Sequence, residues 1–141
     1  KKLCIEAGEK AWSVGIDVIT INDGGNLMDA AALAALAALK ATKFPKVKKD
    51  GSIDYKEKTK DSLPLVKEPI SVTAHLIGDQ ILVDPSVEEE QSSDARITAA
   101  ALDDKTICAL QKGGERALSE EEIDQMLTLS LKKAAELRKR L

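Results

Sequence analysis

The feature that most constrains the fold is the passage NDGGNLMDAAALAALAALKATK. Asp23-Gly24-Gly25 ends a run with strand-like alternation and opens onto an alanine-rich segment. Alanine is the best helix former, Asn26 suits an N-cap, and Asp29 in the first turn complements the helix dipole. The apolar stretch Leu27 to Leu39 runs 13 residues with Asp29 inside it. A helix apolar nearly all round is expected to be buried, here packed closely on a sheet, with Pro45 marking its far end. Two glycines before a helix start can also cradle a phosphate, because free backbone N–H groups and the positive dipole end meet there. The residues that follow them are Asn26 and Leu27, not a cation or a hydroxyl. Gly24, Gly25, Asn26 and Leu27 therefore read as a cradle built from backbone, a former cradle, or a tight turn. A bare Gly-Gly favours the turn.

Around this passage the pattern is hairpin-like. Leu3, Cys4 and Ile5 suggest a strand, and AWSVGIDVITI alternates, with Trp12, Val14, Ile16 and Val18 on one face. Lys46 to Ser62 is polar and glycine-punctuated and reads as a linker with a short strand near Ile53. Ile70, Val72, Ala74 and Leu76 alternate again, Gly78-Asp79 offers a two-residue turn, and QILVD returns. After an acidic loop, ARITAAAL and TICALQK form a second hairpin around Asp103-Asp104. Gly113-Gly114 breaks the pattern before the last segment. That segment is the clearest helix, with a Ser119/Glu122 capping box and an apolar stripe of Ile123, Met126, Leu127, Ala134 and Leu137. The expected class is α+β, a mixed or antiparallel sheet with helices packed on one face. Residues 1–45 form a first unit, 46–64 the linker, and 65–141 a second unit.

Composition narrows the function. With 141 residues, 43% hydrophobic and 32% charged, the chain suits a globular core. Its net charge of −3 excludes a globally basic nucleic-acid binder, and the scarce aromatics Trp12, Phe44 and Tyr55 argue against a base-stacking platform. Cys4 and Cys108 are far apart and His75 is the only histidine, so a structural zinc site is not expected. Two lone thiols suit a reducing, cytoplasmic setting. The apolar run is too short to cross a bilayer, so no membrane association is expected. The chain opens in strand-like residues without a Met, as a fragment lacking an N-terminal part would.

Two further clusters carry potential chemistry. Asp84, Glu88, Glu89, Glu90 and Asp94 are close enough in sequence to hold Mg²⁺ or to tune one another for acid–base work. A solvated acidic loop is the plainer account of such a charge run. Lys40, Lys43, Lys46, Lys48 and Lys49 could meet RNA phosphates, although a solvated linker is the plainer account. His75 falls opposite the apolar set and is expected at a surface or interface, and Trp12 in the core. Nothing supplies a Ser-His-Asp or Cys-His arrangement.

Together, LCIEAGEKAWSVGIDVITINDGGNLMDAAALAALAAL, the later ILVDPSVEEEQSSDA and the order of elements resemble the RNase PH family over essentially all 141 residues. Within it they resemble the non-catalytic RNase PH-like branch of the archaeal exosome. Members are about twice as long, so the resemblance makes this chain a C-terminal half. It implies the RNase PH-like (ribosomal protein S5 domain 2-like) fold. Active members degrade RNA from the 3′ end with inorganic phosphate as nucleophile. Their phosphate pocket has a Gly-Gly-Thr-Arg-like pattern, whose last two residues fall here on Asn26 and Leu27. Leu27 cannot make the charge-assisted contact of an arginine. Active members also carry two aspartates six residues apart, which fall here on Glu88 and Asp94. On this resemblance the catalytic and phosphate positions are degenerate and this subunit holds no metal or cofactor.

The resemblance further implies an assembly. Inorganic phosphate and Mg²⁺ would act at the site of an active RNase PH-like partner subunit. Three such heterodimers would form a hexameric ring, with RNA-binding cap subunits and single-stranded RNA in its channel. RNA-contacting arginines would lie outside this stretch, which contains only Arg96, Arg116, Arg138 and Arg140. The expected role is a non-catalytic structural and RNA-channel subunit supporting RNA degradation and processing. The alternatives are a phosphorolytic exoribonuclease with an altered site using Asn26 and Asp94, and a stand-alone RNA-binding module.

Overall fold

A computed structural model describes residues 2–141. In chain order the elements are β1 (Cys4–Glu6), β2 (Lys10–Ala11), α1 (Leu27–Ala41), β3 (Lys43–Val47), β4 (Ile53–Ser62), β5 (Ile70–Ile77), β6 (Gln80–Val83), α2 (Val87–Gln91), β7 (Ala95–Ala101), β8 (Ile107–Gly114) and α3 (Glu120–Arg138). The main sheet has four antiparallel strands in the order β6-β5-β7-β8, while β1-β2 and β3-β4 are separate hairpins.

The core follows from the β5/β7 register. Ile70 faces Ala101, Val72 faces Ala99, Ala74 faces Ile97 and Leu76 faces Ala95. Each cross-strand pair joins one large side chain to one alanine, so their summed volume stays nearly level along the sheet. All eight residues are buried. Met126, Ser130 and Ala134, one helical turn apart on α3, are the buried residues that α3 lays on this surface. Leu36 of α1 joins Ile70, Val72, Ala101 and Ala134 in the same cluster. The long helices thus share one face of an antiparallel sheet, as the α+β class requires.

The Ser119/Glu122 box caps α3, and Gly78 turns β5 into β6 with a positive φ. Elsewhere the sequence reading needs correction. AWSVGIDVITI pairs only at its start, where Ala11 faces Cys4 and Trp12 N–H donates to the Leu3 carbonyl. From Trp12 onward it forms no strand among the described residues, and Ile19 and Ile21 lie exposed. Alternation sets side-chain direction, but a strand also needs a hydrogen-bonded neighbour. Trp12 is half-buried against Phe44, with ring centroids 5.6 Å apart. The alanine-rich helix starts at Leu27 with Asn26 as N-cap, yet only Leu36 is buried and Met28 is exposed, because one face alone meets the sheet.

The stretch read as a linker is a hairpin. β3 and β4 pair around a turn at Lys48–Ser52, with Gly51 at φ +79°. Pro45 lies inside β3 at a register shift, where a missing N–H is tolerated, and not at the helix end. The acidic loop contains the short helix α2, capped by a Ser86/Glu89 box. His75 is fully buried, not at the surface: its face of the sheet is closed by the segment that carries Ser93.

Candidate functional site

The N-terminus of α1 is built by Gly25 and Asn26. The Asn26 side chain accepts from Asp29 N–H at 3.1 Å, and its carbonyl accepts from Ala30 N–H. Its own N–H points outward, where a phosphate oxygen would sit in a cradle of this kind. That N–H donates instead to Asp84 Oδ1 at 2.8 Å. Asp84 follows β6 and takes a positive φ of 56°, the only non-glycine among the described residues to do so. Pro85, which follows it, is fully buried. The left-handed region costs a side-chain-bearing residue of order 1–3 kcal/mol. Gly25 has φ +76°, and a Cβ placed on it would collide with Asp84 Oδ1. Gly24 has open space around it. Leu27 is half-buried and, being aliphatic, adds no donor.

A second carboxylate crosses in the opposite direction. Asp29 Oδ2 accepts from Thr73 N–H at 2.5 Å, and Oδ1 accepts from the Ser71 and Thr73 hydroxyls at 2.9 and 3.2 Å. β6 pairs only with the Ala74–Ile77 part of β5, so Asp29 satisfies an N–H on the free edge. Asn26, Asp29 and Asp84 line an open cleft of about 490 Å³ together with Lys133, Glu136 and Arg140 of the α3 end. Lys133 is ion-paired with Glu136 at 2.8 Å.

The acidic pair lies elsewhere. Glu88 is exposed on α2. Asp94 Oδ2 accepts from Gly78 N–H at 2.7 Å and lies 3.8 Å from Arg116 Nη1. Arg116 also donates to the Gly78 carbonyl and to Glu122 Oε1. Asp94 therefore pins the β5–β6 turn, roughly 16 Å along the strand from the Thr73 level where Asp29 and Asp84 meet the sheet. Among the described residues no group of three or more His, Cys, Asp or Glu is placed to hold a metal. Asp84 stands out in the sequence only as one acid of a cluster. The signal that marks it is the VDP triplet, in which a strand end meets a proline.

His75 Nδ1 lies 3.1 Å from Ser93 Oγ, and Nε2 is buried without a partner. Burial holds its pKa below the ordinary histidine value, with Glu90 opposing and Arg96 adding to the shift. The lysine cluster is dispersed: Lys40 pairs with Glu68, Lys46 with Glu57 and Lys48 with Asp54, while Lys43 reaches Ser62 Oγ. The hydrogen bond and charge of Glu57 raise the Lys46 pKa. Cys4 and Cys108 are free and exposed. No helix among the described residues is long and apolar enough to cross a membrane.

An alanine-rich helix whose N-terminus meets a four-stranded antiparallel sheet, closed by a long C-terminal helix, is the frame of an RNA-degrading family. Residues 1–45 match domain 1, and residues 67–133 match domain 2, of the 3′ exoribonuclease family. The chain belongs to this RNase PH family. It is 42% identical over 139 residues to the exosome complex component Rrp42 of Archaeoglobus fulgidus, covering 99% of this chain and 51% of that protein. It is 44% identical over 140 residues to Rrp42 of Methanocella arvoryzae, covering 99% and 52%. The chain thus spans about half the length of the curated relatives it matches. A solved archaeal exosome core superimposes with a TM-score of 0.82 at 41% identity, over 99% of this chain and 54% of that one. An Archaeoglobus fulgidus exosome with RNA bound to the active site superimposes with a TM-score of 0.70 at 39% identity, over 85% and 45%.

Proposed function

We propose that this chain belongs to a non-catalytic RNase PH-like subunit of an archaeal-type exosome, cytoplasmic, alternating with an active partner in a hexameric ring. Its role is to shape the ring and its RNA channel and to buttress the partner's site, where inorganic phosphate and Mg²⁺ act. RNA-binding cap subunits complete the assembly. The similarity to Rrp42 proteins supports the assembly. The observation that carries the silence of this subunit is Asp84: its carboxylate occupies the α1 N-terminus, where an attacking phosphate would have to bind. A fixed negative charge at hydrogen-bond distance from Asn26 N–H both takes the donor and repels a second anion. Leu27 adds nothing to compensate, and Asp94 is committed to the β5–β6 turn.

The test follows phosphate-dependent release of nucleoside diphosphates from a short oligoadenylate by the full-length subunit, alone and with its active partner. Release only with the partner is the expected result. Release by the subunit alone would overturn the non-catalytic role and favour an altered phosphorolytic site.

A further inference from the structure

The outer edge of the main sheet lacks partners on three counts. β8 ends the strand order, so alternate N–H and C=O groups along it point away from β7 to no strand among the described residues. Natural edges are blunted by prolines, charges or a covering helix. β8 has no proline and one charged residue, Lys112. α3 packs chiefly on β5 and β7, and Leu110 of β8, on the same side of the sheet as Ala99, is 57% exposed. The other side holds an uncommitted cation. Arg96 alternates with the buried Ala95 and Ile97, so it points away from α3, and it faces Gly113 across the ladder. A Cβ on Gly113 would lie 2.9 Å from Arg96 Nε and 3.0 Å from its Cζ. The guanidinium therefore lies over β8, in the space that the glycine leaves. Gly113 does not take a positive φ, so the arginine and not the backbone calls for glycine there. Arg116 and Arg138 donate to carbonyls and a carboxylate. Arg96 is exposed and enters no salt bridge among the described residues.

We propose that β8 is the docking edge for an extended segment of a different subunit, which adds as a further antiparallel strand and brings a carboxylate to Arg96. The proposal rests on the ring assembly proposed above. An added strand lies about 4.8 Å from β8. An Asp or Glu opposite Gly113, on the side away from α3, then reaches the guanidinium that lies over that glycine, and the planar fork suits a carboxylate bidentately. With the sheet's antiparallel order continued, the residue three positions further along the segment faces Leu110 on the helix side. The segment is thus recognised by an acid, two unrestricted positions and an apolar residue, held by a backbone ladder. A second copy joined through β8 does not meet this need, because Ile107–Gly114 contains no Asp or Glu.

The experiment uses the full-length subunit, alone and assembled with its RNase PH-like partner, before and after addition of an oligoadenylate. Light scattering reports assembly, and amide hydrogen exchange is followed over Ile107–Lys112, which needs no variant to fold. In parallel, the ring carrying Arg96→Lys is treated with a carbodiimide, which joins an amine to a touching carboxylate without a spacer, and the products are mapped by mass spectrometry. The expected result is exchange about tenfold slower or more over Ile107–Lys112 in the RNA-free ring, with coupling of position 96 to an Asp or Glu of the partner. Arg96→Glu should weaken assembly roughly ten- to hundredfold by placing like charges together, with exchange of the β5 and β7 amides in the isolated subunit unchanged. A ring that forms with Ile107–Lys112 unprotected overturns the inference and leaves the ring assembly intact. Coupling of position 96 within its own chain alone also overturns it. Slowing already complete in the isolated subunit assigns the edge to a second copy, slowing only with the oligoadenylate assigns it to RNA, and either result overturns the inference. A subunit that forms no ring with the partner overturns both.

Discussion

At the scale of the residue, the decisive group is one that a sequence reading places in the wrong company. Asp84 sits among Glu88, Glu89, Glu90 and Asp94 in the chain, but in space it leaves them and joins Gly25 and Asn26. Gly25→Ala should destabilise the full-length protein by about 1–3 kcal/mol, since it adds a strained φ and a collision with the carboxylate. In an Asp84→Gly background the collision disappears, so the same substitution should cost less. Urea unfolding of the four proteins in the cycle reads that coupling directly. His75 gives a pH signature. Its folded pKa lies below the unfolded value near 6.5, so the unfolded chain binds the extra proton. The contribution is complete above that value and is lost as pH falls below it, toward the folded pKa. The urea midpoint should therefore fall more between pH 7.5 and 5.5 in the native protein than in His75→Asn. Equal falls would remove His75 as the cause.

At the scale of the element, legibility tracks how many faces are covered. β5 and β7 read clearly because the apolar residues that each lays under α3 alternate in sequence with polar ones, even though Thr73 and His75 on the other face of β5 are buried too. The cap of α3 reads clearly because Ser119 and Glu122 act within one turn. β4 does not, because its side chains are polar on both faces and its partner is a second polar strand. The binary pattern is silent there, and only the Asp50-Gly51 turn marks a hairpin. The link between α1 and β5 is equally invisible, since Asp29 works as a helix-start acid and as a cap for a strand edge 44 residues away. Asp29→Ala should cost about 1–3 kcal/mol by leaving Thr73 N–H unsatisfied, while Asp29→Asn keeps an acceptor and should cost less. Equal losses in thermal unfolding of the two variants would count against this assignment.

At the scale of the whole molecule, two carboxylates tie the alanine-rich helix to the second sheet: Asp29 reaches from α1 to β5, and Asp84 reaches back from the end of β6 to α1. The sequence by itself determined the class of fold, the two principal hairpins and the C-terminal helix, because these rest on local period, capping and turn chemistry, and its motif blocks carried the resemblance to the family. It also marked Leu27 as unfit to bind an anion. Only the tertiary structure decided what occupies the helix N-terminus, that His75 is buried, and that Asp94 serves a turn. Each of these depends on which residues meet across dozens of positions, and side-chain periodicity carries no information about such meetings.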